Sequence, residues 1–154
     1  MSLTFPFEYR RLGDFTYHVL SDPVEIRAYL MKWIMPEWES DHSQAPEEGW
    51  TVTWMNALPG MAFALEIIRL GDICPHADLM SLEEFRTGLE ARAHEREESM
   101  LRGVSIEPLL IDRHGFGLMD GYTRYTVLKR YRQENVYAYV GTPGGQSFPA
   151  VDPV

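Results

Sequence analysis

The sequence predicts an α+β fold in which helices pack on a small sheet. Two long segments, 22 to 34 and 81 to 102, repeat apolar residues at helical spacing. Five shorter segments, 50 to 55, 62 to 70, 108 to 111, 116 to 119 and 136 to 140, alternate or cluster apolar residues as strands do. A chain of 154 residues falls in the single-domain range and can bury a core.

The first helix, 22 to 34, opens with Asp22 as N-cap, Pro23 at the first helical position and Glu25 completing a capping box. Ile26, Leu30, Trp33 and Ile34 make its buried stripe, and Pro36 ends it. Residues 36 to 49 carry Glu37, Glu39, Asp41, Glu47 and Glu48 without an apolar period, which predicts a solvated loop. Trp50, Val52 and Trp54 then alternate with polar positions as in a strand, and Leu58-Pro59-Gly60 supplies a turn. Phe63, Leu65 and Ile67 share one face of the next strand, so the two segments read as a hairpin or as neighbouring strands.

Ser81 and Glu84 form a capping box for the longest helix, which ends before Gly103 and buries Leu82, Phe85, Leu89 and Ala93. The strands 108 to 111 and 116 to 119 flank the turn-rich Asp112-Arg113-His114-Gly115 and form a hairpin. A helix from 122 to 132 follows Gly121 directly, with Tyr125, Leu128 and either Val127 or Tyr131 facing inward. Strand 136 to 140 completes the pattern, and the proline- and glycine-bearing tail reads as irregular chain. Trp33, Trp50 and Trp54 are expected in the core, whereas an exposed Trp38 would mark a partner surface.

Composition narrows the functional classes. A formal net charge of −9 opposes duplex DNA, whose binding rests on phosphate neutralisation. The most apolar segment, 61 to 70, contains Glu66 and Arg69, so no membrane span is expected. The N-terminus lacks the pattern of a secretory signal, and the single Cys74 forms no internal disulfide; both fit a cytoplasmic location. Cys74 and His76 are too few for a metal site, and Cys74 reads as a buried thiol. The run His94-Glu95-Arg96-Glu97-Glu98 reads as a solvated helix face, and Lys129, Arg130 and Arg132 suit the negative end of a helix dipole.

The chemistry-bearing candidate is Asp120-Gly121-Tyr122-Thr123-Arg124, where a strand passes through glycine into a helix. A helix N-terminus presents unpaired N–H groups and a partial positive charge, glycine admits a close anion, and Thr123 and Arg124 can add donors. The alternative is a tight turn at Gly121 with Arg124 paired to a surface carboxylate such as Asp120.

Residues 108 to 140, from Pro108-Leu-Leu-Ile-Asp through Asp120-Gly-Tyr-Thr-Arg to Asn135-Val-Tyr-Ala-Tyr-Val, resemble the ParB and sulfiredoxin superfamily. The order is a proline-led strand, a turn, a strand into Asp-Gly, x-x-Arg opening a helix, and a last strand. With the strand before Pro75 and the helix from Ser81, the resemblance covers roughly 62 to 141. It implies a small mixed sheet with packed helices, extended by an N-terminal helix and strand over 1 to 61 and followed by a tail over 142 to 154.

The resemblance further implies binding of a nucleoside triphosphate, CTP or ATP with Mg²⁺, by Asp120, Gly121, Tyr122, Thr123, Arg124 and His76. Phosphoryl transfer to a small acceptor or slow hydrolysis would use Asp78 as base. Sulfiredoxins carry a reactive cysteine where this chain has Tyr122, so cysteine repair is not expected. ParB clamps carry a helix-turn-helix domain after this unit, and about 14 residues follow the last strand here, so direct DNA binding is not expected. The other reading is a non-catalytic interaction or regulatory module with the same fold, which engages a protein partner or a second copy.

Overall fold

The computed structural model describes residues 5–44 and 50–143. Its centre is a mixed four-stranded sheet in the order β3-β6-β4-β5, built from β3 (Ala62–Arg69), β4 (Leu109–Asp112), β5 (Gly117–Asp120) and β6 (Asn135–Thr142). β6 runs antiparallel to β3 and parallel to β4, while β4 and β5 form the expected antiparallel hairpin with a register shift at Leu110/Ile111. The α+β class holds. Preceding the sheet in sequence is a two-stranded hairpin of β1 (Glu8–Leu12) and β2 (Phe15–Val19), which composition and spacing did not single out.

Alternation along the central strands sends side chains to both faces, and both are covered. Leu109, Ile111, Val136, Ala138 and Val140 join a core completed by β2, by α5 (Glu83–Leu101) and by α6 (Tyr122–Arg130). Leu110, Met119 and Tyr139 face the other way. They meet Ile26 and Tyr29 of α1 (Pro23–Tyr29), then Leu30, Ile34 and Trp38. The Tyr139 hydroxyl accepts the Leu20 amide at 2.9 Å, and burial pushes that hydroxyl's pKa up to about 12. A sheet buried on both faces explains why β6 is apolar nearly throughout.

Several local expectations are corrected. Pro36 does not stop the chain. A π-helical stretch, Leu30–Ile34, follows α1, and the Met35 amide donates to the Leu30 carbonyl, one residue wider than an α-turn. That widening removes the conflict between a proline ring and the preceding carbonyls, and α2 (Met35–Gln44) continues with Pro36 in its first turn. The predicted loop is thus helical through residue 44; residues 45–49 lie outside the described residues. Trp38 is 1% exposed, not a surface marker, and Trp33 is 54% exposed, not core.

The predicted strand 50 to 55 is α3 (Trp50–Ala57), so β3 pairs with β6 instead of a Trp-rich partner. A six-residue apolar alternation satisfies either period, and packing chose the helix. The capping box at Ser81 is absent: α5 starts at Glu83 after Leu82, and the Ser81 hydroxyl donates to the Asp78 carbonyl at 2.7 Å. That contact closes a short helix, α4 (Ala77–Met80). Asp22 precedes α1 without a side-chain cap bond, and Cys74 is exposed, its backbone bridged to Gly117. β6 extends to Thr142, and residues 144–154 of the predicted tail lie outside the described residues.

Candidate functional site

The turn from β5 into α6 is a left-handed glycine. Gly121 has φ +100° and ψ 28°, a conformation that costs an L-side chain steric energy. Space is as restrictive as the dihedral. A Cβ here would lie 2.7 Å from Arg124 Nη2 and 2.9 Å from Leu109 Cδ2. The room that glycine leaves is occupied by the guanidinium of Arg124, folded back over the start of its own helix.

Arg124 Nη2 donates to the Pro108 carbonyl at 3.3 Å. Its Nε is buried and has no hydrogen-bond partner among the described residues. An unpaired buried donor of a charged group is costly, and a charged acceptor would relieve the cost. Asp120, on the other side of the glycine, accepts from Trp38 Nε1 at 3.3 Å.

Arg124 and Asp120 line a polar pocket of about 340 Å³. Its walls come from elements far apart in sequence: His18 of β2, Tyr29, Trp33 and Glu37 from the N-terminal helices, Arg96 of α5, and Glu107 before β4. Burial, then the nearby Arg124, lowers the Arg96 pKa. Two guanidinium groups that disfavour one another leave an environment in which an anion is welcome. Glu107 offsets part of that charge and accepts the hydroxyl of Tyr29, whose own ionisation is pushed up by burial and by that carboxylate.

The remaining residues of the turn face elsewhere. Tyr122 is buried; its hydroxyl donates to the Leu118 carbonyl at 2.9 Å and accepts the His76 amide at 3.0 Å. Burial raises that hydroxyl's pKa to about 12. The Thr123 hydroxyl accepts from Arg92 Nε at 3.4 Å and so turns toward α5. His76 caps α4, accepting the Leu79 amide on Nδ1 at 3.4 Å, and Asp78 is exposed on that helix. Neither His76 nor Asp78 is among the pocket's walls. The structure therefore brings Asp120 and Arg124 to the pocket, with Gly121 as the turn between them. It places Tyr122 in the core, Thr123 against α5, and His76 and Asp78 on α4.

Sequence reading missed His18, Tyr29, Glu37 and Glu107, and assigned Trp33 to the core and Arg96 to a solvated face. No spacing signal joins them, because they meet through tertiary packing. Burial outweighs Glu107 in holding His18 below its ordinary value, with Arg124 and Arg96 acting in the same direction as burial. An unfolded histidine takes up its proton near pH 6.5, before the folded one does. Stability from neutral His18 is therefore complete above about pH 6.5 and is lost as the pH falls through the lower folded value. Replacing His18 with Asn should flatten that acid-side decline in urea-unfolding measurements; an unchanged slope would rule out this linkage.

Fold and pocket together define an α+β domain with a mixed sheet and a two-arginine pocket at the β5–α6 turn. No protein-family model and no curated protein sequence matches the chain. The chain is similar to two solved structures of the pNOB8-like ParB N-domain. One is 22% identical, over 58% of this chain and 33% of that chain, with a TM-score of 0.42. The other is 21% identical, over 56% of this chain and 30% of that chain, with a TM-score of 0.42. The matched part thus spans about a third of those chains. Among the described residues no helix is long and apolar enough to cross a membrane.

Proposed function

We propose that the chain binds a nucleotide, with Arg124 and Arg96 facing its phosphates in the pocket behind the Gly121 turn. The observation that carries this reading is the buried, unpaired Nε of Arg124 in a pocket that already holds a second guanidinium. Guanidinium groups match phosphate oxygens in pairs, and desolvation strengthens the bond. The half-exposed indole of Trp33 on the same wall offers a flat apolar surface for a base.

Among the described residues no group of three His, Cys, Asp or Glu could hold a metal ion by itself. Magnesium, which uses one or two carboxylates together with phosphates, would arrive with the nucleotide; Asp120 and Glu37 are the wall carboxylates suited to share it. Phosphoryl transfer is no part of this proposal, because Asp78 stands outside the pocket walls.

Thermal unfolding with CTP, ATP and ADP, each with and without magnesium, tests the reading. A nucleotide at 100 times its Kd should add about 2.7 kcal/mol of stability. Arg124→Ala should abolish that gain while leaving the ligand-free protein folded, since it removes an unpaired buried Nε together with a single long hydrogen bond to the Pro108 carbonyl. Should no nucleotide raise the midpoint, or should Arg124→Ala respond as the wild type does, the proposal fails.

A further inference from the structure

The segment between α5 and β4 runs beside β2. Ile106 pairs with Tyr17 in parallel, with the His18 amide donating to the Ile106 carbonyl at 2.9 Å and the Ile106 amide to the Thr16 carbonyl at 3.0 Å. In extended chain, successive side chains point to opposite sides. Tyr17 and Ile106 enter the core, so Ser105, Glu107 and His18 share the other side. There Ser105 Oγ lies 2.9 Å from His18 Nδ1, and Glu107 Oε2 lies 4.0 Å from His18 Nε2. The Tyr29 hydroxyl donates to the same carboxylate oxygen. Phe7 packs edge-on against the imidazole with ring centroids 5.1 Å apart.

Glu107, at 4.0 Å and so beyond hydrogen-bond reach, biases the tautomer through its charge. A lone pair on Nε2 would face a carboxylate, so that nitrogen carries the proton and Nδ1 is left to accept from the Ser105 hydroxyl. A hydroxyl within reach of a base, with a third group orienting that base, is the arrangement of an activated nucleophile.

We propose that Ser105 is a nucleophile activated by His18, and that it hydrolyses esters whose acyl group carries a negative charge. Ser105 is not itself a wall of the pocket but adjoins it through its 2.9 Å contact with His18, and His18 and Glu107 share the walls with Arg96 and Arg124, which select the charged acyl group. The neutral imidazole favoured by burial supplies the base at neutral pH. Ser105 Oγ bonds to the acyl carbon as its proton passes to His18 Nδ1. The ester C–O bond then breaks, and the leaving alkoxide takes that proton. Water next attacks the acyl-serine with His18 as base, releasing the acid and restoring Ser105. Glu107 is a positioning residue. The nucleophile is independent of the nucleotide reading; the preference for a charged ester rests on the same arginines.

The test uses two chromogenic esters, neutral p-nitrophenyl acetate and anionic mono-p-nitrophenyl succinate, with mass spectrometry of the acylated chain. The wild type should show a burst and an acyl group on Ser105, both lost in Ser105→Ala, and His18→Gln should acylate about 100-fold more slowly. Glu107→Gln should move the acylation pH profile to lower pH, because the carboxylate raises the imidazole pKa; a merely structural residue would leave the profile in place. The succinate should show the lower KM, an advantage lost in Arg96→Ala. No acyl group on Ser105, or equal bursts in wild type and Ser105→Ala, overturns the nucleophile. Equal KM values for the two esters overturn the substrate class while leaving nucleotide stabilisation to be read separately.

Discussion

Replacing Trp38 with alanine is expected to destabilise the fold by about 3–5 kcal/mol, the range for deleting a fully buried large aromatic. Trp38 is 1% exposed and belongs to the cluster that covers one face of the sheet together with Leu30, Ile34, Met119 and Tyr139. Its indole N–H also holds Asp120 at the wall of the pocket. Trp38→Phe separates the two roles: it keeps most of the packing and removes a hydrogen bond, with an expected loss of about 1 kcal/mol. Urea unfolding decides between them, since a shift in midpoint at constant slope reports stability alone. A loss in Trp38→Ala below about 1 kcal/mol would place the indole at the surface and return α2 to the solvated loop that its charges suggest.

Gly121→Ala carries the other large expected effect. The left-handed conformation costs an L-residue about 1–2 kcal/mol, and overpacking against Leu109 and Arg124 adds a cost of similar size. The expected loss is about 2–4 kcal/mol, accompanied by displacement of the Arg124 guanidinium. Gly121→Asn should fall between wild type and alanine, because asparagine tolerates the dihedral but brings the same Cβ. The site reads out the same change independently: both variants should lose nucleotide stabilisation beyond their loss of fold stability. If Gly121→Ala unfolds at the wild-type midpoint, the positive dihedral and the close approach are both refuted.

How much of this was legible in the sequence depends on where the information sits. Helix α6 and its glycine were readable because a strand, a left-handed residue and a helix start are local events, each with its own residue preference. The capping box at Ser81 was misread for a complementary reason. Serine hydroxyls serve several nearby carbonyls and amides, and closing α4 through the Asp78 carbonyl prevailed over starting α5.

Trp38 was the costliest misreading. Two buried side chains, Met35 and Trp38, anchor a helix that has almost no apolar period, and one such pair is too short for a windowed pattern to register. The proline at 36 strengthened the error, because the π-helical stretch that accommodates it leaves no composition signal. Trp33, placed in the core by helical spacing, is carried outward by that widened turn.

The pocket divides along the same line. Gly121 and Arg124 belong to one short segment, so their proximity follows from chain connectivity and the chemistry of a glycine-led helix start. Arg96, His18, Trp33 and Glu107 reach them only after β2, the N-terminal helices and α5 close over the two faces of the sheet. Sequence by itself determined the α+β class, the β4–β5 hairpin, and the glycine turn that aims Arg124. Tertiary structure alone decided which charges meet that guanidinium, because short-range preferences shape each element and the burial of distant apolar faces selects their neighbours.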